Sequence, residues 1–480
     1  MEIGTHGLKR ELKLWDLVPM QVVVIVWLGW AGFAAKQGRT QVMLWLLAIV
    51  FFYLPLAAVV IKLSRSMPVE GGVYQWVKEG ISPFAGYMAA WNFSIYGVAT
   101  FAAVGSLLAN NTAYAAGKSG SWMLSSRPLA LGITVVCCLI AFLFNVRGLH
   151  LAKWWSNIGS LLTVATFLVL VVLLIRAFAT GLPSFRGSLS LAWPAASIVT
   201  LNVFTKMAIS ALSGFDGTAI FSEECRKPEN DVARSVLIAA PLIALMYILC
   251  TGAVLSYVPP ANVDLAAAVP QAMQAGFGFT GWGGALVKMA AWGFSISYLA
   301  SMVVYVGMVA RLPMVAGWDG LLPSWWSALN ARYRTPIKAI AVVTGGMLFM
   351  GVLSLWGSGH QEAVQALAGA AFGSYCLTYM LLFSVILFGF RSSARRPGLA
   401  IRLGALAAFA VSLCGLIFEV VPLGEVASPM IFGLKVAGAI CATNALGAYL
   451  YWRGTQRLLN LAALGTPISR LAPDKPEAAE

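Results

Sequence analysis

The sequence predicts an all-α membrane protein of twelve transmembrane helices, and three observations predict it. Of its 480 residues, 60% are hydrophobic and only 10% charged, with mean hydropathy +0.81, whereas a soluble domain carries about 25% charged residues. Apolar runs long enough to cross a ~30 Å hydrocarbon core as helices recur from end to end. The formal charge of +14 follows topology. With the N-terminus inside, 23 of the 32 Lys and Arg fall in cytoplasmic segments, 6 outside, and 3 (Lys206, Lys288, Lys435) within apolar segments. The opposite orientation would break the positive-inside rule. Both termini are therefore expected in the cytoplasm and the chain in the lipid bilayer of the cytoplasmic membrane. The basic excess calls for no nucleic acid.

Residues 1–14 are mixed in charge and lack a small-residue cleavage site, so they read as a cytoplasmic segment, not a cleaved signal. The first apolar segment, Trp15–Ala34, is interrupted by WLGWAGF (Trp27–Phe33). Val42–Ser64, Phe84–Ala109, Leu129–Phe144 and Trp155–Phe178 are segments two to five. The sixth, Val199–Phe221, carries Lys206 in its outer half and stops at SGFDG (Ser213–Gly217). Val236–Tyr257, Trp282–Val309, Ala339–Trp356, Ala366–Phe390, Ala405–Val421 and Met430–Tyr451 complete the twelve, before a polar tail. No linker separates two domains. The organisation is thus residues 15–178, residues 199–390, two more helices in 400–453, and a cytoplasmic tail over 454–480.

The seven cysteines show no C-x-x-C spacing and read as reduced packing residues. His6, His150 and His360 lie in terminal or loop positions, and no serine or cysteine has a paired base near it in sequence, so nothing points to an enzyme. GKS at Gly117–Ser119 lacks the leading glycine of a phosphate loop, position 112 being Thr. Transport without ATP is the expectation.

Each glycine costs a helix about 1 kcal/mol, so two glycine clusters at matching positions, five segments apart, need a reason. Paired broken helices in two halves point to a secondary transporter's substrate site. The alternative is that these glycines only let helices approach closely. An unwound backbone at membrane depth persists only where it lines a cavity or ligand site. Freed amides suit a carboxylate and freed carbonyls an ammonium, and a zwitterionic amino acid carries both.

Three stretches carry a family resemblance. PVEGGVYQWVKEGISPFAGYMAAWN (Pro68–Asn92), GFDGTAIFSEECRKPENDVARSV (Gly214–Val236) and RLPMVAGWDGLLPSWW (Arg311–Trp326) occur in the order and spacing of the amino acid–polyamine–organocation superfamily, and NVRG (Asn145–Gly148) adds to the match. Over roughly residues 10 to 455 the chain resembles the amino acid permeases of that superfamily. The resemblance implies a five-plus-five inverted repeat of the LeuT-like type with two extra helices, and alternating access around a central amino acid. It implies Gly29, Trp30, Ala31 and Gly32 near the substrate carboxylate. On the amine side it implies Ser210 and Ser213 carbonyls, with Gly214, Phe215 and Asp216 beside them. Two alignments of WLGWAGF fit the first helix. Where relatives often hold an aromatic gate stands Ser210, so Trp30 or Phe215 would have to close the site.

Asp216 is the sharpest candidate, because intramembrane carboxylates are costly and functional by default. The alternative is a simple helix cap. Lys206 either pairs with a carboxylate in the outer vestibule or snorkels. Glu223 and Glu224, followed by Arg226 and Lys227, read as a cytoplasmic gate network or a solvated helix end. Related proton-coupled transporters often carry a lysine on helix five; Trp154–Leu174 has none, and Thr163 stands near that place. The coupling ion, H+ or Na+, stays open, with Ser297 and Ser301 as hydroxyl candidates for a cation. No cofactor or bound metal is expected. A polyamine or other organic amine is the alternative substrate, and a non-transporting sensor the alternative class.

Overall fold

A computed structural model describes residues 8–463 apart from 125, 266, 279, 356–359, 390–396 and 423–427. His6 and the end of the C-terminal tail lie outside the described residues, as does the side chain of His360. Among the described residues, 11 helices are long and apolar enough to cross a membrane. A shorter apolar helix precedes them: α1 is split into Leu14–Ile25 and Trp30–Ala35. The others are α2 Gly38–Ser66, α3 Pro83–Ala116, α4 Arg127–Val146, α5 Leu149–Ala179, α6 Ile198–Ala219, α7 Pro228–Tyr257 and α8 Gly281–Trp318. They end with α9 Ile337–Leu355, α10 Ala366–Gly389, α11 Leu399–Phe418 and α12 Pro429–Leu461. Counting α1, twelve apolar helices lie along the described residues, with shorter helices such as Val73–Gly80 and Ala268–Phe277 between them.

Several starts follow from local chemistry. Ser82, Ser126 and Ser197 each accept a hydrogen bond from a first-turn amide of α3, α4 and α6, and proline follows near the start of α3 and α4, where its missing N–H costs nothing. The packing repeats with a twofold logic. Two extensive interfaces between spanning helices are α5 with α8 and α3 with α10. Matching α1–α5 onto α6–α10 turns one of these interfaces into the other, as a five-plus-five repeat requires. α8 is nearly all buried and forms the central post, whereas α12 is mostly exposed on the periphery.

Several helices run past their expected ends: α3 reaches Ala116, α5 starts at Leu149 and α7 at Pro228, and α8 and α12 extend furthest. α8 continues through Arg311 to Trp318, past the charge that marked its expected end at Val309, because Arg311 is buried and paired inside the protein. The loop therefore begins only at Asp319. α12 runs on to Leu461, so the first residues of the expected tail are helical.

Candidate functional site

The breaks in α1 and α6 meet at the centre. α1 unwinds over Val26–Gly29. α6 passes through a π-turn at Met207–Ala211, stops at Leu212–Gly214, and resumes at Phe215. Gly214 has φ +119°, a conformation that only glycine adopts without strain. A Cβ there would lie 3.0 Å from Ile25 Cγ1 and 3.2 Å from Val24 Cγ1, so the missing side chain also lets the broken backbone of α6 pack on the side chains that precede the break in α1.

One tyrosine hydroxyl serves each break. Tyr247 on α7 accepts from the Trp27 amide (3.0 Å) and donates to the Ile25 carbonyl (2.7 Å). Tyr379 on α10 accepts from the Gly214 amide (3.1 Å) and donates to Asp216 Oδ1 (2.9 Å), with the Tyr375 hydroxyl 2.6 Å away. Backbone groups freed by unwinding are thus satisfied without water. Neither tyrosine was singled out from the sequence. The available signal was a tyrosine in the middle of an apolar segment, far from the interfacial belt where the residue is usual and in need of a partner for its hydroxyl.

Asp216 is fully buried, and its Oδ2 has no hydrogen-bond partner among the described residues. One carboxylate oxygen is thus fixed by Tyr379 and the other is unspent. Rings surround this point. Tyr96 stacks on Tyr375 at 3.8 Å between centroids, and Tyr305 lies 6.1 Å from Tyr96. The Ser210 hydroxyl, in the π-turn just before the break, is also buried without a partner, and Ser213 is buried beside it. On α1, Gly29 faces open space: a Cβ there would meet nothing within 4 Å.

The remaining candidates separate by position. Ala31 is fully buried, and a Cβ at Gly32 would sit 2.8 Å from Ala268 Cβ, so Gly32 serves close packing against the helix Ala268–Phe277. Trp30 stands against Phe372 (5.7 Å) and Phe33 (4.9 Å) and lines a cavity of about 250 Å³ bordered by Leu265, Glu419 and Pro422. Phe215 points elsewhere, with its ring on Tyr53 at 4.9 Å, so of the two rings considered for closing the site only Trp30 borders a cavity. Lys206 reaches Glu419, at the end of α11, at 3.3 Å across the same cavity. On α8, the Ser297 hydroxyl donates to the Gly159 and Gly293 carbonyls (2.8 Å each), and Ser301 Oγ accepts from Trp27 Nε1 (3.1 Å). Thr163 donates to the same Gly159 carbonyl (2.9 Å).

At the end of the molecule that carries the N-terminus, the backbone of Leu12 bridges Glu224 and Arg226. Glu224 is bound by Arg311 of α8 through Nε and Nη2, while Arg226 is exposed. In sequence, Glu223, Glu224, Arg226 and Lys227 read as a gate network or a solvated helix end; Glu224 is buried, and its partner Arg311 is 87 residues away. Asp319 is held by Tyr74 (2.5 Å) and Lys78 (2.8 Å), which fastens the short helix Val73–Gly80 to the end of α8.

Comparison with known proteins agrees with this architecture. A family model described as amino acid permease matches residues 12–436. An uncharacterised transporter of Legionella pneumophila is 22% identical over 368 residues, covering 71% of this chain and 72% of that one. A low-affinity putrescine importer of Escherichia coli is 28% identical over 294 residues, 59% of this chain and 60% of its own length. An arginine/agmatine antiporter of Chlamydia caviae is 24% identical over 320 residues, 64% and 63% of the two chains. Among solved structures, MhsT in complex with L-phenylalanine superposes with TM-score 0.66 at 12% identity, covering 86% of this chain and 99% of that one, a likeness of fold.

Proposed function

The chain belongs to the amino acid permease family of the amino acid–polyamine–organocation superfamily, and from that premise we propose that it carries an α-amino acid across the cytoplasmic membrane by alternating access, as symporter or exchanger, with both termini in the cytoplasm. The observation that carries the reading is the meeting of the two breaks: the unspent Asp216 oxygen on one side and the open backbone at Gly29 on the other. An ammonium fits against Asp216, the unpartnered Ser210 hydroxyl and the tyrosine rings, whose faces attract cations. A carboxylate would face the start of the outer half of α1; there the Trp30, Ala31 and Gly32 amides already donate to the Trp27, Leu28 and Gly29 carbonyls, so the positive helix end and not free amides would favour it. Trp30 and Phe372 would close over the solute from the cavity they line.

A second reading, transport of a decarboxylated amine, is favoured by the printed activities of the putrescine importer and the arginine/agmatine antiporter. Against it, a diamine needs an acid at each end, and the buried acid on the other cavity bordered by Trp30, Glu419, already faces Lys206. For a metal cation to enter between α5 and α8, the bonds of Ser297 and Thr163 to the Gly159 carbonyl would have to break. Protein reconstituted in liposomes decides among these readings: amino acid uptake or exchange without ATP is expected, and flux confined to decarboxylated amines would transfer the assignment to the second reading.

A further inference from the structure

The N-terminal end of the molecule is closed by three buried charged side chains, and one carboxylate has no cation of its own. Arg311 gives Nε and Nη2 to the two oxygens of Glu224 and Nη1 to the Gly307 carbonyl, and its guanidinium covers the Phe221 ring at 4.5 Å. All three of its nitrogens are engaged. Glu70, from the loop after α2, is the third member. Its Oε2 accepts from the Glu223 amide (2.8 Å), while Oε1 stands 3.8 Å from Arg311 Nε, beyond hydrogen-bond reach, with no hydrogen-bond partner among the described residues. Two buried carboxylates beside one guanidinium leave an excess negative charge where water is excluded, and the lower-energy state of such a pair holds a proton.

We propose that Glu70 and Glu224 form a proton-binding site built into the inner gate, which holds one proton while Glu70, Glu224 and Arg311 are assembled and releases it when the gate opens. Burial first, and then the charge of Glu224, push the Glu70 carboxyl well above its usual range, against the pull of Arg311. Charges of both signs surround the pair: Glu223 stands beside both and Glu11 near Glu224, while Lys9, Arg147 and Arg334 line the approach to Glu224. Cys225 lies among Glu70, Glu224, Asp231 and Asp16, and Lys153 answers Asp16 at 3.7 Å. A small cavity of about 90 Å³ reaches Glu224 from the N-terminal face, lined also by Lys9, Glu11, Arg147, His150 and Arg334, which gives the proton a polar way out.

The backbone couples this site to movement of α6. Gly71 donates to the Ile220 carbonyl (3.1 Å), and a Cβ on Gly72 would come within 3.0 Å of the Ala219 carbonyl carbon. The loop that carries Glu70 therefore lies on the inner end of α6, while Arg311 belongs to α8. Any opening that shifts α6 against α8 parts the carboxylates from the guanidinium; the proton then passes to water at the N-terminal end, and closure takes one up again from that same water, so the gate answers to the pH of that side.

The inference rests on the transport reading, and one experiment separates the two. Liposomes containing the full chain are given proteinogenic amino acids or putrescine as probes, and solute flux is recorded while pH is varied on one side and held on the other, and then the reverse. Wild-type flux is expected to slow when the side facing the N-terminal end is acidified, and Glu70→Gln to lose that slowing while solute still enters down its gradient. Wild-type flux that ignores pH on both sides overturns the inference and leaves the transport reading standing. No flux of any probe overturns both. Slowing that persists in Glu70→Gln, or in Glu70→Ser where the Gln variant does not fold, also overturns the inference.

Discussion

At the scale of single residues, the buried charges separate function from stability. Asp216→Asn keeps shape and capping ability, since Asn and Asp cap about equally well, and removes only the charge. Insertion and folding are expected to survive, with solute affinity at least about tenfold weaker, the ~1.4 kcal/mol that a single lost charge contact readily represents; wild-type affinity in a binding titration would leave only the cap. Lys206→Met should act on stability, because it strands Glu419 in a buried setting. Breaking such a pair costs roughly 3 kcal/mol, and the double variant Lys206→Met/Glu419→Gln should recover most of it in thermal unfolding. For Glu70 the sign follows from linkage. Its folded-state carboxyl binds protons more tightly than the ordinary value of 4.5, so the native state holds more protons than the unfolded state above that pH. Stability conferred by the bound proton is then lost as pH rises toward the raised value. Glu70→Gln should lack this decline and gain on the wild type in alkaline melts. Asp216 was legible in the sequence because a carboxylate interrupts an apolar run. Arg311, Tyr247 and Tyr379 were not, since each acts on a partner 87 to 222 residues away that only the fold brings near.

At the scale of elements, the two breaks depend on glycine geometry and tyrosine hydroxyls together. Gly214→Ala would force a side chain into φ +119°, a strain of about 1–3 kcal/mol, and press its methyl on Ile25 of α1 at 3.0 Å. The expected outcome is a lower melting temperature together with loss of solute binding, because the same displacement carries the Gly214 amide away from Tyr379. A variant that binds solute normally would show that the α1–α6 contact is not part of the site. The interruptions themselves were legible, since glycine clusters in apolar runs are unfavourable unless used. Their register was less so. In α1 the unwound residues are Val26–Gly29, whereas the residues expected at the site ran on to Gly32, which packs on Ala268. Glycine in a sequence marks either an opening or a close approach, and only the neighbour across the gap distinguishes them. Helix ends misled for a related reason: the charge of Arg311 looks like an exit from the membrane until Glu224 is seen to neutralise it.

At the scale of the whole molecule, the number of helices was legible because hydrocarbon thickness sets a length that the chain must repeat. Orientation in the membrane rests on the Lys and Arg asymmetry alone, and it decides which gate faces the cytoplasm. Glu229 and Asn262 provide the test. Both are exposed, and they flank α7, whose 30 residues span about 45 Å at 1.5 Å per residue, so the two positions must lie on opposite faces. Cys414 and Cys441 are the exposed native thiols and would first be replaced; the other five are buried. Single cysteines are then introduced as Glu229→Cys and Asn262→Cys. An impermeant maleimide added to intact cells should label position 262 at once and position 229 only after permeabilisation. The reverse pattern would put the Glu70–Glu224–Arg311 cluster on the external side. It would then face the external medium instead of the cytoplasm, and both the direction of proton release and the cytoplasmic placement of the termini would have to be exchanged.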